Sequence, residues 1–155
     1  MLNTDQQKLN LLIAYAKSFI GLSRKKQKQL CESRKLDCSS FIQSVYRKHG
    51  VILPRTARKQ AGEGGLVEKD LILEGDLLFF YVEDKYPTND IPGHVGIYIG
   101  QQQMIHCLPS PSKVILTSIE KPHWIKKYLF ARRILINTND MSVADSSNNT
   151  VCLLR

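Results

Sequence analysis

The sequence predicts a single α+β domain in which helices come first along the chain and an antiparallel sheet follows. Two stretches before residue 50 carry apolar residues at helical spacing, and five stretches after residue 76 are dense in β-forming residues. With 155 residues, of which 43% are hydrophobic and 23% charged, the chain has the composition of one globular domain. No apolar run reaches about 18 residues, so no membrane-spanning helix is expected.

The first predicted helix covers residues 7–20 and ends at Gly21, a residue type that commonly follows a helix. Its apolar stripe consists of Leu9, Leu12, Ile13, Ala16, Phe19 and Ile20. Residues 24–35 are almost entirely polar and rich in lysine and arginine. This pattern is typical of an exposed loop or a short helix.

The positive charge is concentrated in the N-terminal part of the chain. The formal net charge is +8, from 22 lysine and arginine residues against 14 acidic residues. Residues 1–60 contain 13 basic and 3 acidic side chains, whereas residues 61–155 contain 9 basic and 11 acidic ones. Anionic partners are therefore expected at a surface formed by the N-terminal part.

Five strands are predicted after a turn at residues 74–76. They cover residues 77–82, 94–99, 103–107, 113–119 and 128–136. The N-terminal helices are expected to pack on a five- to six-stranded antiparallel sheet, in one domain over residues 1–136. Residues 137–155 lack periodicity and are predicted to be a disordered tail without catalytic residues. Their end resembles a prenylation box, but Arg155 is atypical there, so no stable membrane anchor is expected.

The four cysteines show no spacing typical of a disulfide framework. A rival interpretation is a zinc site formed by Cys31, Cys38, His94, His106 and Cys107. None of their intervals resembles a zinc finger, so neither a metal nor a cofactor is expected. The apolar run at residues 11–16 is too short for a signal peptide. The chain is therefore expected either to start in the cytoplasm or to lack a leader present in the full protein.

Cys38 is the predicted nucleophile because of its position in the second helix. This helix is predicted from Cys38 to His49, with Asp37 as the N-cap residue and Gly50 at its end. A cysteine in a first helical turn faces unpaired backbone N–H groups and the positive end of the helix dipole, and both favour a thiolate. A buried structural cysteine is the alternative, and the surroundings of Cys38 alone do not decide between them.

Two histidines lie in a predicted β-hairpin over residues 93–106. A three-residue loop in this hairpin pairs Ile99 with Gln103. His94 and His106 then lie on the same face as diagonal neighbours, about 7–8 Å apart at the backbone. A slip of one residue would place them on opposite faces.

Gly96 lies between the two histidine positions and leaves space on their face of the sheet, where a helix end is expected to dock. If the helix that carries Cys38 docks there, its thiolate attacks the substrate. His94 then acts as the base and later protonates the leaving amine, and His106 orients the His94 ring. The predicted catalytic set is thus Cys-His-His.

Five separated segments resemble, in order and spacing, the NlpC family of papain-like cysteine peptidases over roughly residues 7–136. They are residues 36–43 (LDCSSFIQ), 50–60 (GVILPRTARKQ), 74–80 (EGDLLFF), the hairpin at 94–106 and residues 128–134 (YLFARRI). The resemblance implies a papain-like α+β core. It also implies that Cys38 is the nucleophile, His94 the base and His106 the third, orienting residue.

The resemblance further implies a substrate, because members of this family usually hydrolyse peptidoglycan stem peptides between γ-D-glutamate and the diamino acid, through an acyl-enzyme. Asp37 and Ser39 would line the substrate groove, and the backbone N–H of Cys38 would stabilise the oxyanion. Two positions depart from the family pattern. Ser40 stands where a glycine is usual, and the lysine-rich residues 23–35 replace a segment that usually contains tyrosine and glycine. A changed stem position or a different amide substrate is the resulting alternative.

The expected partner is therefore a peptidoglycan stem peptide, to which the cationic N-terminal part draws the protein. We expect delivery from the bacterial cytoplasm by a specialised secretion system, as an effector that acts in the periplasm or on the wall and has a cognate immunity protein. The alternative function is a catalytically altered binding module that uses residues 24–35 to hold nucleic acid or anionic lipid. That segment has few aromatic residues, so nucleic acid is not an expected partner.

Overall fold

The computed structural model describes residues 2–134. The helices in this range are α1 (Thr4–Lys17), α2 (Arg24–Cys31), α3 (Cys38–Arg47), α4 (Ala57–Gln60) and α5 (Pro122–Lys127), with a 3-10 turn at Lys69–Leu71. The strands in this range are β1 (Gly65–Val67), β2 (Leu77–Phe80), β3 (His94–Tyr98), β4 (Gln103–Pro109), β5 (Ser112–Ser118) and β6 (Tyr128–Arg133). The tail predicted at residues 137–155 lies outside the described residues.

The strands form one antiparallel sheet in the order β1-β6-β2-β3-β4-β5. The predicted α+β class is confirmed, and each of the five predicted strands is present. Strand β1 and helix α5 were not predicted. With three and six residues respectively, they are too short to display a periodic hydrophobic pattern.

The sheet separates two apolar layers. The larger layer lies on the face covered by helices α1 to α3, where Val95 and Ile97 of β3 share a buried cluster with Phe41 and Ile42 of α3. The smaller layer on the opposite face contains Val67, Leu78, Phe80, Met104 and Ala131. Because side chains alternate along a strand, the histidines of β3 and β4 belong to the smaller layer.

Helix α2 occupies the segment for which the sequence left a loop or a short helix open. Ser23 caps it by accepting a hydrogen bond from the N–H of Lys26. The buried side chain of Gln27 fixes the helix in place. Its amide nitrogen donates to the carbonyls of Phe19 (2.9 Å) and Val114 (3.1 Å), and its oxygen accepts from the N–H of Val114 (3.0 Å). The cationic segment is thereby attached to β5, the last strand of the sheet.

Helix α1 begins and ends three residues earlier than predicted. Asn3 caps it by accepting a hydrogen bond from the N–H of Gln6 (2.7 Å). Turns then lead to Gly21, whose φ of 87° lies in the left-handed region. Within residues 2–134, the helices are too short or too polar for any of them to span a bilayer.

Candidate active site

Cys38 is the first residue of α3, and Asp37 caps this helix as predicted. The carboxylate of Asp37 accepts a hydrogen bond from the N–H of Ser40 (2.8 Å), and the Ser40 hydroxyl accepts one from the N–H of Asp37 (2.9 Å). This reciprocal capping box satisfies two backbone donors at the start of the helix. Ser40, which departs from the family pattern, thus completes the cap beside Cys38.

The side chain of Cys38 is half-buried beside the larger apolar layer. Burial raises the pKa of its thiol. The N–H groups of Val95 and Ser39 face the sulfur and lower this pKa, while the carboxylate of Asp37 raises it. Desolvation outweighs the backbone donors, so the resting group is a thiol rather than the thiolate expected from its position in the helix.

The hairpin between β3 and β4 has the predicted register. Ile97 pairs with Ile105 and Tyr98 with Met104, and the N–H of Ile99 donates to a carbonyl on β4 (3.0 Å). The two histidines are therefore diagonal neighbours on one face, as the three-residue loop required.

His94, His106 and Thr117 form a buried chain of hydrogen bonds across β3, β4 and β5. His94 Nε2 lies 2.8 Å from His106 Nδ1, and His106 Nε2 lies 2.9 Å from Thr117 Oγ1. Thr117 was not predicted. It pairs with Met104 in the register of β4 and β5, which makes it a diagonal neighbour of His106, and this register was not worked out from the sequence.

These contacts determine the tautomers that catalysis requires. When His94 is an imidazolium, both of its ring nitrogens carry protons, so its Nε2 donates to Nδ1 of His106. His106 then carries its proton on Nε2 and donates it to the hydroxyl of Thr117. Nδ1 of His94 remains the nitrogen that can exchange a proton with Cys38.

Trp124 of α5 covers both histidine rings. It stacks on His94 with ring centroids 5.3 Å apart and meets His106 edge-on at 5.0 Å. Burial lowers the pKa of His94 to about 3, and the adjacent His106 ring adds to this effect. Burial likewise lowers the pKa of His106 to about 4. Both rings are therefore neutral at neutral pH.

We expect the free energy of unfolding to fall as the pH decreases below 6.5, the ordinary pKa of histidine. The pKa values of His94 and His106 are depressed in the folded protein, so the unfolded chain binds these protons first. Their contribution is complete above pH 6.5 and is lost as the pH falls toward the folded values of about 4 and about 3. Urea unfolding from pH 7.5 to 4.5 measures this loss.

The matched control for this pH dependence replaces both rings, as His94→Gln with His106→Gln. If the two histidines cause the loss of stability, the double variant shows a flatter dependence between pH 6.5 and 4.5. A wild-type unfolding midpoint that stays constant over this range would contradict the assignment.

Helix α3 does not dock at Gly96, contrary to the expectation from the sequence. A Cβ atom at Gly96 would lie 2.8 Å from Met104 Sδ and 3.2 Å from His106 Cβ, so these side chains already occupy the space. The helix packs on the opposite face, and the sulfur of Cys38 meets β3 at the N–H of Val95. Among the hydrogen bonds of residues 2–134, none joins Cys38 to the His94 ring.

Arg55 joins Asp37 and Ser39, the two residues expected to line the groove. Its guanidinium donates to both carboxylate oxygens of Asp37 (3.0 and 2.8 Å) and to the Ser39 hydroxyl (2.9 Å). Burial opposes ionisation of Asp37, but the hydrogen bonds from Arg55 and from the Ser40 N–H hold the pKa of this carboxyl below its usual range. Ser39 is only 5% exposed, whereas 44% of the Arg55 side chain is accessible. Arg55 was not singled out from the sequence, where nothing shows its distance from Asp37.

The zinc interpretation fails on the placement of its residues. His106 and Cys107 are consecutive in β4 and point to opposite faces, and Cys31 and Cys107 belong to the larger apolar layer. Within residues 2–134, no group of three or more His, Cys, Asp or Glu side chains could hold a metal ion. The remaining histidines in this range lie near the end of α3 (His49) and exposed on α5 (His123).

We expect Thr117→Val to lower kcat by about tenfold, because the buried Nε2–H of His106 loses its acceptor and the tautomer needed by His94 is disfavoured. Thr117→Ser keeps the hydroxyl and should restore most of the rate. Nitrogen-15 NMR of the histidine rings provides an independent measurement of the tautomer. Equal rates for the valine and serine variants would contradict the role of the hydroxyl.

The sequence profile of the NlpC/P60 family matches residues 19–133. Murein DD-endopeptidase MepS/Murein LD-carboxypeptidase of Escherichia coli (strain K12) is 39% identical over 101 residues, which cover 64% of this chain and 50% of that protein. Gamma-DL-glutamyl hydrolase of Bacillus subtilis (strain 168) is 30% identical over 143 residues, which cover 91% of this chain and 34% of that protein. The chain thus spans about half of the first relative and about a third of the second.

A solved structure shows the same similarity in three dimensions. The crystal structure of an NlpC/P60 family protein from Bacillus cereus matches with a TM-score of 0.66 at 31% identity, covering 81% of this chain and 39% of that one. The family match includes every residue from the capped cysteine to the buried threonine. The chain belongs to the NlpC/P60 family.

Proposed function

We propose that this chain is a cysteine peptidase that hydrolyses an amide bond in peptidoglycan stem peptides. The observation that carries the proposal is the placement of Cys38 at the start of α3, with its sulfur at the N–H of Val95, the residue that follows His94. His94 is in turn hydrogen-bonded to His106. A nucleophile, a base and a group that orients the base are the parts that covalent amide hydrolysis needs.

In the proposed reaction, Nδ1 of His94 accepts the thiol proton as the sulfur of Cys38 attacks the scissile carbonyl carbon. The carbonyl electron pair moves onto oxygen, where the backbone N–H of Cys38 at the helix start can donate to it. The C–N bond then breaks, and the His94 imidazolium protonates the leaving amine. Water, deprotonated by His94, attacks the resulting thioester, and the sulfur leaves and recovers its proton.

The resting protonation states place a requirement on this reaction. Burial favours the neutral thiol of Cys38 and the neutral ring of His94. An ion pair of the two is therefore not present beforehand, and the proton moves as the nucleophile attacks. Substrate binding must bring Nδ1 of His94 to the sulfur, because apo geometries of catalytic pairs commonly tighten only in the complex.

For the scissile bond we propose the link between γ-D-glutamate and the diamino acid. Two relatives support a substrate of this kind, since one is named a murein endopeptidase and the other a glutamyl hydrolase. The ion pair of Asp37 and Arg55 lies beside Cys38 and supplies polar, partly exposed groups that suit a charged peptide. Hydrolysis of a different amide remains the alternative substrate assignment.

Mass spectrometry of muropeptides tests this proposal. Purified peptidoglycan and soluble muropeptides are incubated with the wild-type protein and with Cys38→Ala, and the product masses identify the bond. Products that require Cys38 support the proposal. If neither protein changes any substrate, the alternative takes its place, which is a catalytically altered module that binds anionic partners.

We also propose that the protein acts in the periplasm or on the wall, where this substrate lies, after delivery as an effector, and that an immunity protein blocks its groove. Expression in a bacterial host with and without a periplasmic signal tests the place of action. Growth arrest only with the signal, abolished by Cys38→Ala, is expected. Arrest that depends on neither the signal nor Cys38 would contradict this proposal.

A further inference from the structure

Five cationic side chains line one hollow on the surface, which we call the basic hollow. Its lining consists of Arg24, Lys25, Lys28, Arg34 and Lys35, together with Leu36 and Ser112. The hollow has a volume of about 480 Å³, and no acidic or aromatic side chain is part of its lining. Helix α2, the segment after it and the start of β5 therefore form a concave, purely cationic surface.

None of these five cations has an ion pair within residues 2–134. Other cations of the same range do have such partners, as Arg55 has with Asp37 and Arg133 with Asp76. Five like charges around one hollow repel each other, and an anion bound among them would relieve this repulsion. The fold alone gives no reason for this arrangement.

The hollow is held in shape by buried polar contacts. Gln27 bonds to both backbone groups of Val114, and the hydroxyl of Ser44 donates to the carbonyl of Cys31 at the end of α2 (2.8 Å). The three cations of α2 are therefore carried by a helix that is attached to the sheet. Charges on an ordered element lose less freedom on binding than charges on a mobile loop.

The hollow lies next to the candidate nucleophile. Leu36, which is part of its lining, precedes Cys38 by two residues. Two residues span at most about 7 Å of backbone, so the wall of the hollow begins within that distance of the Cys38 Cα atom. A peptide bound at Cys38 can extend into the hollow with its neighbouring residues.

We propose that the basic hollow recognises free carboxylates of the substrate peptide, and that the protein thereby favours γ-glutamyl peptides with several free carboxylates over their amidated forms. This inference rests on the function proposed for Cys38 and narrows its substrate class. A γ-linked glutamate keeps its α-carboxylate, so consecutive γ-glutamates present a negative charge at each residue. Nucleic acid fits less well, because the lining has no aromatic side chain on which bases could stack.

Binding of labelled oligo-γ-glutamate to the full chain tests the proposal. All proteins carry Cys38→Ala, so that the probe is not cleaved. The test variant adds Lys25→Glu and Lys28→Glu in the hollow, and the control adds Lys8→Glu and Lys17→Glu on α1, which change the net charge equally. We expect the hollow variant to lower the affinity by about tenfold or more and the control by about twofold. Arg34→Gln with Lys35→Gln, outside α2, should lower it in the same direction.

Three results would overturn the assignment. Equal loss of affinity in the hollow and control variants would mean that only net charge matters. Equal affinity for a fully amidated oligomer would mean that carboxylates are not recognised. Binding of inorganic polyphosphate or single-stranded DNA, but not oligo-γ-glutamate, through the hollow would identify a different ligand.

Cleavage by the wild-type protein is measured separately on an amidated and an unamidated stem peptide, so that the two proposals fail differently. A lower KM for the unamidated peptide, which rises in the variant with Lys25→Glu and Lys28→Glu while kcat is unchanged, supports the hollow. Cleavage without this difference in KM overturns the hollow alone. Absence of cleavage, together with carboxylate binding that depends on the hollow, overturns the hydrolase and leaves the binding site.

Discussion

Cys38→Ala is expected to lower kcat/KM on a stem-peptide substrate by roughly 10⁴-fold or more, because no acyl-enzyme forms without the sulfur. The change should leave folding nearly intact. The capping box of Asp37 and Ser40 does not involve the Cys38 side chain, and that side chain is only half-buried. We expect the free energy of unfolding to change by no more than about 1 kcal/mol. Chromatographic detection of the released amine and urea unfolding measure the two quantities.

The matched control is Cys107→Ala. Cys107 is fully buried on the helix side of β4, and burial raises the pKa of its thiol to about 12, so it has no role in the reaction. This variant should lose stability and keep its specific activity. Retained hydrolysis in Cys38→Ala, or equal loss of activity in a folded Cys107→Ala protein, would refute the assignment of the nucleophile.

His94→Ala is expected to lower kcat by about 10²- to 10⁴-fold, because the thiol of Cys38 then has no base. The remaining rate should rise with pH. Without His94, reaction depends on spontaneous ionisation of the Cys38 thiol, whose pKa is raised above 9.0 by burial. Rates of thiol alkylation and of hydrolysis, both measured against pH, test this dependence.

His49→Ala provides the comparison for His94→Ala, because this histidine contacts a backbone carbonyl near the end of α3 and lies outside the proposed reaction. It should hydrolyse substrate at the wild-type rate. His106→Asn, which can still pair with His94, should retain more activity than His106→Ala. A folded His94→Ala protein with more than a tenth of the wild-type kcat would exclude His94 as the base.

Local features of the site could be read from the sequence. The N-cap at Asp37 depends on residues within three positions of it, and the hairpin register depends on the length of one short loop. Alternation along paired strands then placed His94 and His106 on one face. Predictions of this kind succeed because they use fixed backbone geometry over a few residues.

The features that the sequence did not show depend on distant parts of the chain. Thr117 reaches His106 through a second strand pairing, and Arg55 reaches Asp37 across 18 positions. The space beside Gly96 was assigned to a helix, but long side chains of the neighbouring strand fill it. The thiolate expected at Cys38 neglected desolvation, which is known only when the packing around the sulfur is known.

Trp124 gives the protein an optical reporter of its own active-site region. It is the only tryptophan of the chain, and its ring lies against His94 and His106. An imidazolium ring quenches indole fluorescence more strongly than a neutral one, so emission near this residue follows the charge of the pair. Protonation of the histidines, or their movement when a peptide binds, is thus observable in solution without a label and without a substituted residue.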